Sequence, residues 1–111
     1  MCLAQESIKW LLDEAEQDEV GLWMICSVVR DTLRLTDDEK VRDATLDAVK
    51  RLLDTGQVVV GGYRDGYGSP VAPWNINNNA ALSRIESMWN DLEREPQIGD
   101  EIVFIGKRLI G

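Results

Sequence analysis

The stretch Val20–Leu35 constrains the fold most, because its apolar residues lie on nearly every side of a helix. These residues are Val20, Leu22, Trp23, Met24, Ile25, Cys26, Val28, Val29 and Leu33. A helix that is apolar all round is buried on several sides, so the stretch predicts a central helix. A β-strand is the alternative, since the stretch is rich in β-branched residues. Its length and its polar close at Arg30–Arg34 favour the helix.

Two further helices are predicted on either side of this one. The first runs from Ser7 to about Asp18 and carries one apolar stripe, formed by Ile8, Leu11, Leu12 and Ala15. The other begins at a capping box, in which the Thr36 hydroxyl and the Glu39 carboxylate satisfy free backbone amides. Its core-facing stripe consists of Val41, Thr45, Ala48, Val49, Leu52 and Leu53. Gly56 can adopt the left-handed conformation that ends this helix.

The next segment predicts a strand followed by a loop. Three consecutive valines favour extended backbone, so Gln57–Tyr63 predicts a strand. The glycine-rich run Gly61–Gly68 is interpreted as a turn or bulge at the strand end, because no helix follows it directly to bind a phosphate. Arg64–Asn79 is rich in Gly, Pro, Asn and Ser and lacks periodicity, which predicts a long ordered loop.

The remaining residues predict a fourth helix and a second strand. An asparagine within Asn77–Asn79 caps a helix that runs to about Arg94, shortly before Pro96. Its stripe consists of Ala81, Leu82, Ile85, Met88, Trp89 and Leu92. Gly99–Asp100 then predicts a turn, and Glu101–Ile105 predicts the strand.

These elements predict a single α+β domain over residues 1–111. Three helices fill the N-terminal half, and a strand, a loop, a helix and a strand follow. Two strands alone make a weak sheet, so we expect them to pair with each other beside the helices in a small antiparallel sheet. The order is winged-helix-like, with a loop and a helix inserted where a wing would be.

Charge and the lack of histidine exclude several classes of function. Twenty acidic residues against twelve basic ones give a net charge of -8, which repels nucleic acid and anionic membranes and attracts basic proteins. Without histidine the chain lacks the side chain best suited to proton transfer and the commonest metal ligand. Cys2 and Cys26 are too few for a zinc site, and Cys26 is expected to be a small buried hydrophobe. We therefore expect no catalytic residue, no metal and no cofactor, and a protein that is not an enzyme.

The third helix would read DNA in a helix-turn-helix protein, but its acids outnumber its bases. Lys40, Arg42, Lys50 and Arg51 stand against Asp37, Asp38, Glu39, Asp43, Asp47 and Asp54. Affinity for nucleic acid depends on neutralising phosphates, so direct binding is not expected.

We also expect no membrane partner and a cytoplasmic location. No run approaches the roughly 18 apolar residues that cross a bilayer. The start Met1–Glu6 lacks the basic and apolar parts of a secretory signal.

The last third of the chain carries a motif: Ala81-Leu82-x-x-Ile85-x-x-x-Trp89-x-x-Leu92-x-x-x-Pro96-x-x-Gly99-Asp100-x-x-x-Phe104. It resembles the C-terminal signature of a large family of small, mostly uncharacterised bacterial proteins. A Gly-x-Val strand opening and a loop tryptophan precede it in that family, as they do here, so the similarity covers roughly residues 56–104. Gln57 departs from the small apolar residue that is common there, and the loop Arg64–Pro73 is individual to this chain.

Small acidic proteins of this type are similar to immunity proteins of contact-dependent and other polymorphic toxin systems. The resemblance implies an immunity protein that binds and neutralises a cognate basic toxin, with a nuclease domain as the expected partner. The alternative is a winged-helix-like interaction or regulatory module without a toxin partner. The resemblance carries over no catalytic residue.

Three surfaces are candidates for the contact, and we expect one or two of them to form it. The first-helix acids are Asp13, Glu14, Glu16, Asp18 and Glu19. The loop residues are Tyr63, Asp65, Tyr67 and Trp74. The late acids are Asp91, Glu93, Glu95, Asp100 and Glu101. Trp23 and Trp89 fall on predicted core faces, whereas Trp74 either plugs the core or anchors a partner.

Overall fold

Helices and short strands alternate along the chain in the computed structural model, which describes residues 2–98 and 100–109. Within these residues the helices are α1 (Gln5–Gln17), α2 (Leu22–Leu33), α3 (Asp38–Asp54) and α4 (Asn78–Leu92). The strands are β1 (Val20–Gly21), β2 (Val58–Tyr63), β3 (Val71–Pro73) and β4 (Val103–Gly106), and a 3₁₀ turn, η1, follows at Lys107–Leu109. The predicted α+β class is confirmed, and the order is compatible with a winged-helix-like arrangement.

All strand pairs in the described chain are antiparallel, and the sheet has the order β1-β4-β2-β3. β4 therefore lies in the middle, although it is formed by residues near the end of the sequence. The expected pairing of the two predicted strands is confirmed as β2 with β4, where Val60 faces Phe104.

The central helix begins later than its sequence predicted. Val20 and Gly21 are not helical but pair with Phe104 and Val103 of β4. The Leu22 amide donates to the Ile102 carbonyl at 2.9 Å, so the chain leaves the sheet directly into α2. Gly21 suits this corner, because a Cβ there would overlap the Trp23 indole. Trp23 is accordingly half-buried over Gly21 and lies at the margin of the core.

The predicted loop Arg64–Asn79 also contains a strand, because Val71–Pro73 pairs with the end of β2. Gly61 and Gly62 belong to β2, as the strand prediction Gln57–Tyr63 had them, and the predicted turn at the strand end begins only at Arg64. They are needed for close approach: a Cβ on Gly61 would overlap the carbonyl oxygen of Ala72. β3 is an edge strand, and Pro73 has no backbone N–H to offer a further strand.

The start of α3 differs by one residue from the predicted capping box. Asp37, not Thr36, is the N-cap, and its carboxylate accepts hydrogen bonds from the amides of Glu39 at 2.9 Å and Lys40 at 3.2 Å. Glu39 is then too early in the helix to complete the reciprocal bond of a capping box. Gly56 has a φ of 72° just beyond the other end, as predicted for a helix stop.

The core lies between the helices and one face of the sheet. α2 contributes fully buried Ile25, Cys26 and Val29, and Phe104 of β4 packs into the same cluster. Trp89 of α4 is buried as predicted. No described helix is long and apolar enough to cross a membrane.

Candidate protein-interaction surface

The acids of α1 gather toward its C-terminal end. Ile8, Leu11 and Ala15 bury one side of the helix, and Asp13 is exposed on the outside. Glu14 and Glu16 are half-buried near the helix end, and no basic residue occupies the last turn. The carbonyl end of a helix carries partial negative charge, so carboxylates there lower the stability of the helix.

Two of the predicted surfaces meet where α1 gives way to β1. The Tyr63 hydroxyl of β2 donates a hydrogen bond of 2.7 Å to the Glu19 carboxylate. Burial, and then this hydrogen bond, raise the pKa of Tyr63, so the phenol stays protonated as the donor. Asp18, whose carboxylate accepts from the Glu19 amide at 2.7 Å, is close enough to add to the effect on the pKa of Tyr63. The acidic end of α1 and the loop aromatics thus form one continuous surface.

The loop beyond Tyr63 is held in shape by its own hydrogen bonds. The Ser69 hydroxyl accepts from the Asp65 amide at 2.8 Å and donates to the Gly66 carbonyl at 2.7 Å. Tyr67 packs edge-to-face on Tyr63, with ring centroids 5.5 Å apart, yet it remains 66% exposed. An ordered loop that displays a fixed, exposed tyrosine has already lost much of the conformational entropy that binding would cost.

Trp74 does not belong to this surface, because it follows β3 at the end away from Tyr67. It packs against the hydrophobic core, and the Arg84 guanidinium of α4 covers its ring at 4.2 Å from the centroid. Of the two roles that the sequence left open, the structure supports the core plug.

The late acids surround the end of α4 and the approach to β4. Arg30 of α2 donates to Glu95 at 2.5 Å and to Asp38 at 3.0 Å, which links α2 and α3 to the segment after α4. Asp100 is bound to Arg94 and is largely buried, whereas the other late acids are exposed. Those exposed acids are Asp91, Glu93, Glu95 and Glu101.

The first-helix acids are less neutralised than the late acids. Among the described residues, Glu16 is the one first-helix acid with an ion pair, to Arg108 at 3.5 Å. Arg108 is itself 84% exposed in this pair, so solvent screens the attraction strongly. The field at the end of α1 is therefore free to act on a partner.

Trp10 is a surface residue that the sequence analysis did not single out. It lies on the outside of α1 and is 47% exposed. Helical spacing makes Glu6, Asp13 and Glu14 its neighbours on that face. The sequence held one signal for its exposure: Trp10 is an additional apolar residue, because four other residues already complete the apolar stripe of α1.

The described chain contains no cluster of three or more acidic, cysteine or histidine side chains placed to hold a metal ion. Cys2 is exposed and Cys26 is buried, and both are free thiols. Burial raises the pKa of Cys26 to about 12, so this thiol is protonated and unreactive at neutral pH.

The fold and this surface define a small acidic α+β protein in which exposed tyrosines and carboxylates lie together. Comparison of the chain with protein-family models, with curated proteins and with solved structures gave no match.

Proposed function

We propose that this chain is a cytoplasmic immunity protein that binds and neutralises a cognate basic toxin, most simply a nuclease domain. The contact is centred on the end of α1 and on Tyr63 and Tyr67. A nuclease needs a basic groove for the phosphates of its substrate, and an acidic domain can occupy that groove. Electrostatic steering then gives fast association, and the bound protein excludes the substrate.

The placement of the α1 acids is the observation that carries this proposal. Glu14 and Glu16 lie in the last turn of α1, where carboxylates are disfavoured, and Asp13 lies just before it. No base in that turn offsets them, and their one described ion pair, Glu16 with the exposed Arg108, is screened by solvent. Residues that lower the stability of their own helix are expected where function requires them. A basic partner would supply the missing cations and relieve the repulsion.

Co-expression with the protein encoded immediately upstream tests the proposal. We expect the neighbour to stop cell growth alone and to be harmless in the presence of this chain. The charge-reversed variant Asp13→Lys/Glu14→Lys should lose protection, because the partner's cations would meet like charge. Glu86→Lys, on the exposed side of α4, is the control and should protect as the wild type does.

Two results would contradict this assignment. If the neighbouring protein is harmless alone, or if it kills cells that also make the wild-type chain, the proposed immunity function is wrong. Full protection by the α1 double variant would be compatible with the immunity function but would show that the contact does not lie on α1.

A regulatory or interaction module without a toxin partner is the second candidate, and the winged-helix-like order favours it. The N-terminal end of α3 makes DNA an unsuitable partner, because Asp37, Asp38, Glu39 and Asp43 are all exposed there. Size-exclusion chromatography separates the candidates: a tight self-dimer would favour the module, and a monomer that captures the basic neighbour would favour immunity. Retention of DNA fragments in a gel shift at physiological salt would favour a DNA-binding form of the module and contradict the argument from charge.

A further inference from the structure

A groove of about 500 Å³ runs between the β2–β3 hairpin and the last elements of the sheet. Pro70 and Val71 line one side of it, and Ile105 and Leu109 line the other. Glu19 and Arg64 add charged groups to the lining. Leu109 is 44% exposed and follows the basic Lys107 and Arg108 in η1, so the groove presents apolar surface to solvent beside acidic and basic groups.

Glu19 lines this groove, and a hydrogen bond holds its carboxylate in place. One carboxylate oxygen accepts from the Tyr63 hydroxyl at 2.7 Å, which holds the side chain against β2. No second side-chain partner of this carboxylate occurs within residues 2–98 and 100–109, so the group keeps capacity to accept further hydrogen bonds. Asp18 and Asp65 flank the site in sequence and strengthen the negative field around it.

Tyr67 supplies an exposed aromatic ring next to Tyr63, whose hydroxyl binds this carboxylate. Its ring meets the Tyr63 ring edge-to-face at 74°, and two-thirds of the residue is exposed. A guanidinium group stacks on such a face and donates hydrogen bonds to a carboxylate at the same time, which a lysine ammonium does less well. The apolar walls suit the methylene stem of the same side chain or an apolar neighbour.

We propose that this groove binds an arginine side chain of the toxin, carried on an extended segment with apolar neighbours. The inference rests on the proposed function and names the part of the toxin that is recognised. An arginine held by Glu19 and Tyr67 is withdrawn from phosphate binding, which would link recognition directly to inhibition. Arg64 sets the specificity, since a second cation in the segment would have to lie away from it.

A peptide titration tests the groove without the toxin. The acetylated, amidated tripeptides Leu-Arg-Leu, Leu-Lys-Leu and Leu-Glu-Leu are titrated into the ¹⁵N-labelled full chain. We expect Leu-Arg-Leu to shift the amides of Gly68, Val71 and Ile105 most, Leu-Lys-Leu to bind several-fold more weakly, and Leu-Glu-Leu to bind least. No shift at millimolar Leu-Arg-Leu, equal shifts with Leu-Glu-Leu, or shifts confined to the outside of α1 or to the late acids would overturn the proposal.

Glu19→Gln is the sharpest variant, because glutamine keeps an acceptor for the Tyr63 hydroxyl while it removes the charge. We expect it to weaken binding of Leu-Arg-Leu and of the upstream-encoded protein, the latter about tenfold. Glu86→Gln, which changes an exposed acid of α4 outside the candidate surfaces, is the matched control and should change neither affinity by more than about twofold. Unchanged binding of both ligands by Glu19→Gln would refute the proposal that the groove binds arginine.

The two proposals fail separately. If the upstream-encoded protein does not bind the wild-type chain, the immunity function fails, and the peptide titration still decides whether the groove selects arginine. If the protein binds but Glu19→Gln has no effect, the immunity function stands and the groove is not its arginine site.

Discussion

The Arg94 guanidinium donates two hydrogen bonds, each 2.9 Å long, to the two carboxylate oxygens of Asp100. The Gln97 amide donates to the same carboxylate at 2.6 Å. These bonds close the segment between α4 and β4 into a loop and so position the central strand. The hydrogen bond from Arg94 is the main cause that lowers the pKa of Asp100 below its ordinary value, and burial opposes it.

The Arg94–Asp100 ion pair should make the stability of the fold sensitive to acid. Since the pKa of Asp100 is lowered by folding, its contribution to stability is complete above about pH 4, the unfolded value, and is lost as the pH falls through the folded value. Asp100→Asn should cost about 1 kcal/mol at pH 7, because Arg94 is partly exposed, and much less at pH 2. Urea denaturation at pH 7, 4 and 2 measures the difference. The exposed Asp91→Asn is the control, and a cost in Asp100→Asn that does not change with pH would contradict the prediction.

The α1 acids predict a gain in stability on their removal. Asp13→Asn/Glu14→Gln should raise the free energy of unfolding by about 0.3–1 kcal/mol, chiefly because the Glu14 carboxylate leaves the last turn, at the negative end of the helix. Glu6 lies in the first turn, where a carboxylate is favourable, so Glu6→Gln should change stability in the opposite direction. Thermal and urea denaturation at low ionic strength compare the three proteins. A loss of stability in the double variant would show that these acids serve the fold.

Gly61 predicts a large loss of stability from a small substitution. Gly61→Ala places a Cβ against the backbone of Ala72, which cannot move without opening the β2–β3 pair, so we expect a cost of about 2 kcal/mol or more. Gly56→Ala is the matched control: its φ of 72° is unfavourable for alanine, but a Cβ meets no atom within 4 Å, so the cost should be about 1 kcal/mol. Urea denaturation followed by tryptophan fluorescence gives both values. Equal costs would mean that β3 shifts to accommodate the methyl group.

The reaction rate of the two cysteines with a thiol reagent should report on unfolding. A thiol reagent at pH 8 should modify Cys2 at once, whereas Cys26 is buried and protonated and should react only when the chain opens. Cys2→Ser should therefore show a single slow phase, whose rate rises with urea. Rapid reaction of both thiols in the native protein would show that α2 is not buried.

Patterns within one segment were readable from the sequence, and pairings between segments were not. The stripes of α1, α3 and α4 follow from local spacing, and so does the buried character of α2. β1 and β3 are two and three residues long and exist because Val20 meets Phe104 and Val71 meets Tyr63, which no local pattern encodes. Thr36 and Asp37 are both good helix caps, and one residue of register separates them.

The candidate site shows the same division. The acids of α1 and the tyrosines of the loop were both visible as separate groups in the sequence. The two groups form one surface because of the hydrogen bond between Glu19 and Tyr63, which lie 44 positions apart in the sequence. Trp74 and Tyr67 share a glycine-rich loop in the sequence, yet β3 separates them. The predicted turn Gly99–Asp100 lies partly outside the described residues, since Gly99 is not among them.

The position of β4 between β1 and β2 has a consequence for how the chain folds on the ribosome. Val20 and Val60 both pair with Phe104, so β1 has no strand partner, and β2 has β3 alone, until residues 103–106 have been synthesised. The helical half emerges first with one side uncovered, and closure of the sheet is a late, long-range event. Nascent chains are therefore expected to depend on chaperones until residues 103–106 leave the exit tunnel.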